Sequence, residues 1–340
     1  MTVSRKWGIA LVIGVSVAVV AATFAWRLLR VEGPESAPWL EGEVFAVTRD
    51  RLIAATVIGA GLGIAGLLLR TATSNPLADP SITGVNSGAS LGAVLGTTLL
   101  GGATGAAILP GSLIGASIAI AITVGIGLRG HVADPSGAII VQRMVLLGMA
   151  VSALFSALTS IVLVLDEAQL ATVLSWLSGR LGGVGLDDLI PAIVALLVVA
   201  PLVIAGARGL DTLAAGDLVA SSVGADPRRL RIGAVSAAVV LVASGVAAAG
   251  PIGFLGLMAA VVVHRVCGPR HRIGIVVAAA VGAAVLIVSD SIAQALWAPA
   301  ETPVGIVAAL AGFPLLLWGI RNLTPKRPTA AAAAPGGERP

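Results

Sequence analysis

The sequence predicts an all-α membrane protein with ten transmembrane helices and both termini in the cytoplasm. Composition is the first observation behind this. Hydrophobic residues fill 57% of the 340 positions and charged residues 11%, whereas a soluble domain carries about 25% charged residues; mean hydropathy is +1.02. The second is a series of ten uncharged or nearly uncharged runs, most of them near the roughly 20 residues that a spanning helix needs. The third is the alternation of basic and acidic connections between those runs.

The runs lie at about 8–26, 52–69, 83–101, 104–128, 144–165, 189–207, 232–248, 250–263, 273–296 and 303–320. The first follows Arg5 and Lys6 and could be a cleaved signal peptide, but 19 apolar residues in "GIALVIGVSVAVVAATFAW" exceed the usual signal core, which favours an uncleaved helix. The run at 250–263 is short and opens on "GPIGFLG", so an irregular or tilted span is expected there. Ala, Gly, Val, Leu and Ile dominate throughout and Tyr is absent, a composition in which helices approach closely through small residues. Residues 1–322 read as one membrane domain. The tail 323–340, "LTPKRPTAAAAAPGGERP", is of low complexity and reads as a disordered cytoplasmic end.

With ten spans and a cytoplasmic N-terminus, 16 of the 21 basic residues fall on cytoplasmic connections, and 5, namely Arg27, Arg30, Arg49, Arg51 and Arg180, fall outside. The external connections are acidic, with Glu32, Glu35, Glu41, Glu43, Asp50, Asp166, Glu167, Asp187, Asp188 and Glu301. A basic pI of about 10.5 therefore reports orientation in a lipid bilayer and not a nucleic-acid partner.

The chain carries no phosphate-binding G-x-x-x-x-G-K-[ST] loop and no H-E-x-x-H pair, and no catalytic residue set is apparent. His131, His264 and His271 lack the spacing of a metal site, and Cys267 is the single cysteine, so neither a metal nor a disulfide is expected. Asp290, in "LIVSDSIAQAL", is the main ionisable group inside an apolar run. It could mark an ion path or be a hydrogen-bonded packing residue.

Two segments stand out against the apolar text. The longest cytoplasmic connection, 208–231, reads "RGLDTLAAGDLVASSVGADPRRLR". A helix from about 211 to 222, a turn at Gly224 and a new start at Asp226-Pro227 are expected, giving either a docking element for a partner or an ordinary basic loop. The second segment, "SNPLADPSITGVNSGAS" at 74–90, has Asn75-Pro76 and Asp79-Pro80, which disfavour helix in the residues before them. Gly84, Ser87, Gly88 and Gly92 then recur on one helix face, suited to close packing or to the wall of a pathway.

The run "RLIAATVIGAGLGIAGLLLRTATSNPLADPSITGVNSGASLGAVLG" at 51–96 resembles the signature of the permease subunits of bacterial ABC importers for iron-siderophores, haem and vitamin B12. "LDTLAAGDLVASSVGADPRRLR", "AAGPIGFLGL" and "SDSIAQALWAPAETPVGIVAALAGFPLLLWGI" are similar to further family segments, in the same order, over about residues 45–322. The resemblance implies a type II ABC importer permease fold of the bacterial cell membrane. Its implied partners are a second permease subunit, a cytoplasmic ATPase that holds ATP and Mg, and an external substrate-binding protein; this chain itself would hold no cofactor. Gly216, Asp217, Ala220, Gly224 and Ala225 fall at the family's ATPase-coupling position. Asn75, Pro76, Asp79, Pro80, Gly84, Ser87 and Gly88 form its turn and pathway wall, and Arg51 and Glu301 its docking positions for the binding protein. This chain departs from relatives at Thr48 and Asp50, where an Arg and a Pro are usual, at Leu69 or Arg70, where a Gln is usual, at Gln294, where an Arg is frequent, and at Ala260-Val261 in place of Pro-His. A heterodimer whose other permease keeps the fuller docking set is expected.

Overall fold

A computed structural model describes residues 3–32, 38–76, 78–80, 83–100, 105–127, 138–165, 176–296 and 302–323. Regular structure among these residues is helical: α1 (Val3–Leu28), α2 (Glu41–Thr73), α3 (Val85–Leu100), α4 (Gly105–Gly127), α5 (Ala138–Leu165), α6 (Leu186–Ala205), α7 (Ala207–Ala214), α8 (Asp217–Ser222), α9 (Pro227–Ala249), α10 (Leu255–Val266), α11 (His271–Leu296) and α12 (Val304–Leu323). Each of the ten apolar runs coincides with one of the longer helices. Seven of them, α1, α2, α4, α5, α6, α9 and α11, are long and apolar enough to cross a membrane. The expected disordered tail lies outside the described residues, apart from Leu323, which ends α12.

Helix α2 is the hub. It has 33 residues, about 50 Å at 1.5 Å per residue, well beyond the roughly 30 Å hydrocarbon core. It starts eleven positions before its apolar run because Glu41 and Glu43 sit in its first turn, where the helix dipole favours carboxylates. Around it pack α1, α6, α9, α10 and α11, while α3, α4 and α5 form a second group joined to the first through α9.

Glycine sets how closely these helices meet. A Cβ on Gly63 would overlap the carbonyl oxygen of Ala278, and one on Gly59 would lie 2.9 Å from the Cα of Ala283, so α2 and α11 are in backbone contact. Gly66 meets Gly256 across the α2–α10 seam, and Gly88 and Gly92 meet Gly115 and Gly111 across the α3–α4 seam. Where lipid surrounds the bundle no hydrophobic gain separates helix contact from lipid contact, so close van der Waals packing of this kind supplies much of the attraction.

Candidate functional site

The corner at 74–84 connects α2 to α3 and folds back into the bundle. Ser74 adopts left-handed backbone (φ 50°) as the C-cap of α2, its N–H donating to Thr71 O. Asn75, Asp79 and Pro80 are buried, and Gly84 has φ +86° at the entry to α3. The Asp79 carboxylate then performs a task that lies far away in sequence. Its Oδ1 accepts from the N–H of Leu257 at 3.1 Å and its Oδ2 from the N–H of Phe254 at 3.4 Å. These are the orphan donors of the first turn of α10, which no side chain of its own caps. A carboxylate there also meets the positive end of the helix dipole. Nearby, Asn86 Nδ2 donates to Ile252 O at 3.4 Å.

This cap explains the short tenth helix. Residues 250–254 are not helical, with Gly250 at φ +74° and Phe254 at φ +64°, so α10 covers only 12 residues, about 18 Å. An irregular segment at membrane depth is tolerated when protein groups satisfy its backbone, and Asp79 and Asn86 do so here. The expected irregular span is therefore a broken entry followed by a half-length helix.

The Gly84–Ser87–Gly88 face is only in part a free wall. Gly88 and Gly92 are filled by the backbone of α4, and the space beside Gly84 is taken by Val151. Ser87 is half-buried and its Oγ donates to Gly84 O at 3.0 Å. Of the two readings of this face, Gly88 takes the close-packing one, set against the Gly115 carbonyl in the α3–α4 seam.

The 208–231 connection holds two short helices, α7 and α8, and not one helix over 211–222. Gly216, at φ +108°, breaks the chain between them in a conformation that favours glycine. Gly224, at φ +79°, closes α8, with the Ala225 N–H donating to Ala220 O at 2.9 Å. The expected start at Asp226-Pro227 is present: Asp226 Oδ1 accepts from the N–H groups of Arg228 and Arg229 at 2.9 and 3.3 Å, and this start opens the long helix α9.

Arg231 fastens α8 to the bundle. Its Nη1 and Nη2 donate to Asp217 Oδ2 and Oδ1 at 2.9 and 2.8 Å, and its Nε donates to Ala72 O, in the last turn of α2, at 3.0 Å. A second link runs through His271, whose Nδ1 lies 2.8 Å from Asp211 Oδ1 in α7 and whose Nε2 lies 2.7 Å from Thr71 Oγ1 in α2. Asp217 and Ala220 consequently face this chain, Ala220 being fully buried at 0% exposure. The outward face of α8 and its C-cap is Leu218 (78% exposed), Val219 and Val223 (63% exposed). Sequence reasoning missed these three, although apolar residues inside an otherwise polar connection were the available signal.

At the opposite end, α1, α2 and α11 are joined by a buried charge cluster. Asp290 is fully buried; Arg27 Nη1 reaches its Oδ2 at 2.8 Å and Arg51 Nη2 its Oδ1 at 2.8 Å. Gln294 adds its Nε2 to Asp290 Oδ2 at 3.2 Å and its Oε1 to Arg27. Asp290 is thus a paired packing residue. Arg51 was expected to face the exterior and is instead buried, since the carboxylate within reach supplies the charge that a desolvated guanidinium requires. Glu301 lies outside the described residues, as does His131. Among the described residues no group of three His, Cys, Asp or Glu could hold a metal ion.

The FecCD transport family model matches residues 8–322. The chain belongs to the FecCD transport family. It is 35% identical over 289 residues, 85% of this chain and 75% of the relative, to the cobalamin import system permease protein BtuC of Halobacterium salinarum. It is 34% identical over 268 residues, 79% of this chain and 81% of the relative, to the Fe(3+) dicitrate transport system permease protein FecD of Escherichia coli. In fold it is similar to an inward-facing conformation of a metal-chelate type ABC transporter, with a TM-score of 0.77, 24% identity and coverage of 93% of this chain and all of the other. As a FecCD permease the chain is a multi-pass protein of the bacterial inner membrane and a transport subunit of ABC importers. The family match takes in the 74–84 corner, the α7–α8 connection and the buried charge cluster alike.

Proposed function

We propose that this FecCD permease lines the pathway of an ATP-driven importer of a ferric siderophore, with cobalamin or haem as the alternative cargo of the same machinery. ATP and Mg are held by a separate cytoplasmic ATPase that docks on α8. The observation that carries this reading is the outward triplet Leu218, Val219 and Val223, presented by a helix that Arg231 braces against α2. Exposed apolar residues on a polar connection serve as anchors for a partner's groove. The brace gives a rigid route by which movement of the ATPase reaches α2, the most connected helix of the bundle.

Gradient-driven transport has less to work with. The two membrane-depth carboxylates described above are both committed, Asp290 to two guanidinium groups and Asp79 to the first turn of α10. Proton or ion coupling calls for an ionisable group that can change partners along a path. A second, non-identical permease completes the pathway, and an external binding protein delivers the cargo. The inward turn of Arg51 and the presence of Thr48 and Asp50 leave this subunit few arginines with which to hold that binding protein, which favours a heterodimer.

Co-purification from native membranes in mild detergent, followed by mass spectrometry, tests the reading. An ATPase is expected with the native chain and absent with a Leu218→Asp/Val223→Asp variant of unchanged thermal stability. A stable native complex that contains no ATPase overturns it, and a complex with two copies of this chain and no second permease overturns the heterodimer.

A further inference from the structure

At the end of the bundle that carries the α7–α8 connection, a cavity of about 240 Å³ opens between α2, α7, α10 and the α10–α11 turn. Its polar lining comes from Arg70, Thr71, Ser74, Asn75, His264 and His271. Arg70 is half-buried and forms no hydrogen bond or ion pair with any described residue. That is costly for a guanidinium, which presents five N–H donors and accepts nothing. The adjacent turn adds further positive charge, with Arg265, Arg270 and Arg272 in the stretch "HRVCGPRHR" at 264–272, and Arg270 Nη1 is buried without a partner among the described residues. Among the described residues of the α7–α8 connection, Asp211 is held by His271, Asp217 by Arg231 and Asp226 by Arg229. Helix α11 starts at His271 beside the cavity, and its first N–H donates to Asp211 Oδ1 at 2.7 Å.

We infer that this cavity is a binding site for a phosphate oxyanion, supplied either by the headgroup of an anionic phospholipid or by free phosphate. A planar fork of donors matches phosphate oxygens in pairs, and basic pockets between transmembrane helices on the cytoplasmic side hold anionic headgroups. Thr71 and His271 belong both to the cavity wall and to the chain of hydrogen bonds that ends on Asp211 of α7. An occupant therefore bears directly on the base of the ATPase-docking connection. The inference rests on the cavity and its charges and stands whether or not the importer reading does.

Thermal unfolding of the full chain in detergent, followed by tryptophan fluorescence, tests it. The melting temperature is read with phosphatidylglycerol against phosphatidylcholine, and with inorganic phosphate against chloride at equal ionic strength. A rise of about 3 °C or more is expected with phosphatidylglycerol, lost in Arg70→Gln and retained in Arg228→Gln, which removes an exposed arginine elsewhere. A rise with inorganic phosphate and none with phosphatidylglycerol supports the site with free phosphate as its source. No rise in either arm, or an equal rise in Arg70→Gln, overturns the inference. Should Arg70→Gln fail to accumulate, Ser74→Gly removes a cavity hydroxyl at a position whose left-handed backbone suits glycine, and it is expected to weaken the rise; an undiminished rise there overturns the inference.

Discussion

Asp290 and Asp79 are both buried carboxylates, yet their surroundings give them different tasks. Asp290 neutralises part of the charge of two arginines within the bundle, and removing one member of such a cluster weakens the pairing of the others. Asp290→Asn is expected to destabilise the protein by about 3–5 kcal/mol, seen as a fall in the melting temperature of the detergent-solubilised chain. In a double-mutant cycle with Arg51→Met the two losses should not add, because both substitutions break one interaction; strict additivity would show that the pair contributes nothing. Asp79 satisfies the amide groups of Phe254 and Leu257. Asp79→Ala should cost about 1–3 kcal/mol, the penalty for leaving buried donors unmet, and should raise amide hydrogen exchange at the start of α10 before it does so elsewhere.

Between helices the decisive quantity is the distance of approach. The α2–α11 seam is so close that one methyl group at Gly63 meets the Ala278 carbonyl, whereas a methyl at Gly14 in α1 meets nothing within 4 Å. Gly63→Ala is accordingly expected to lower stability by about 1–3 kcal/mol through overpacking, and Gly14→Ala to leave it unchanged or raise it slightly, since alanine is the better helix former. Comparable melting temperatures for the two variants would mean that the seam yields at no cost. The short helices obey a different rule. α8 has only six residues, too few to persist alone in water, and owes its form to the glycine breaks at either side and to the Arg231 brace. Arg231→Gln should loosen it, lowering protease resistance at 215–225 and ATPase recovery together, while the bundle keeps its melting temperature to within about 1 kcal/mol of stability. Loss of bundle stability in step with protease resistance would show that Arg231 supports the helices and not the loop.

For the molecule as a whole the sharpest expectation is sidedness. The basic connections, α7–α8 among them, belong in the cytoplasm, and the Arg27–Asp290 cluster near the other face. Single cysteines introduced by Ser222→Cys and Glu32→Cys into a Cys267→Ala background test this. A membrane-impermeant thiol reagent applied to intact spheroplasts should label the second and spare the first, and the pattern should reverse in inverted vesicles. Labelling of both on one side would break the alternation of spans.

The helices themselves were legible because the bilayer imposes a rule that acts locally: a run of some twenty apolar residues must satisfy its own backbone, and only a helix does that. The N-cap at Asp226, the break at Asn75-Pro76 and the glycine face of α3 follow from rules that span a few residues at most. Which side chains pair across the bundle obeys no such rule. Arg51 meets Asp290 across 239 residues, Thr71 meets His271 across 200, and Asp79 caps Leu257 across 178. For that reason Arg51 read as an external arginine and Ala220 as a surface contact, when the first is buried by a carboxylate on another helix and the second by the seating of α8. The family and the succession of helices were already present in the order of apolar and charged residues; the partners of the buried charges, the cap of the broken helix and the outward face of α8 depend on how helices distant in sequence come to lie side by side.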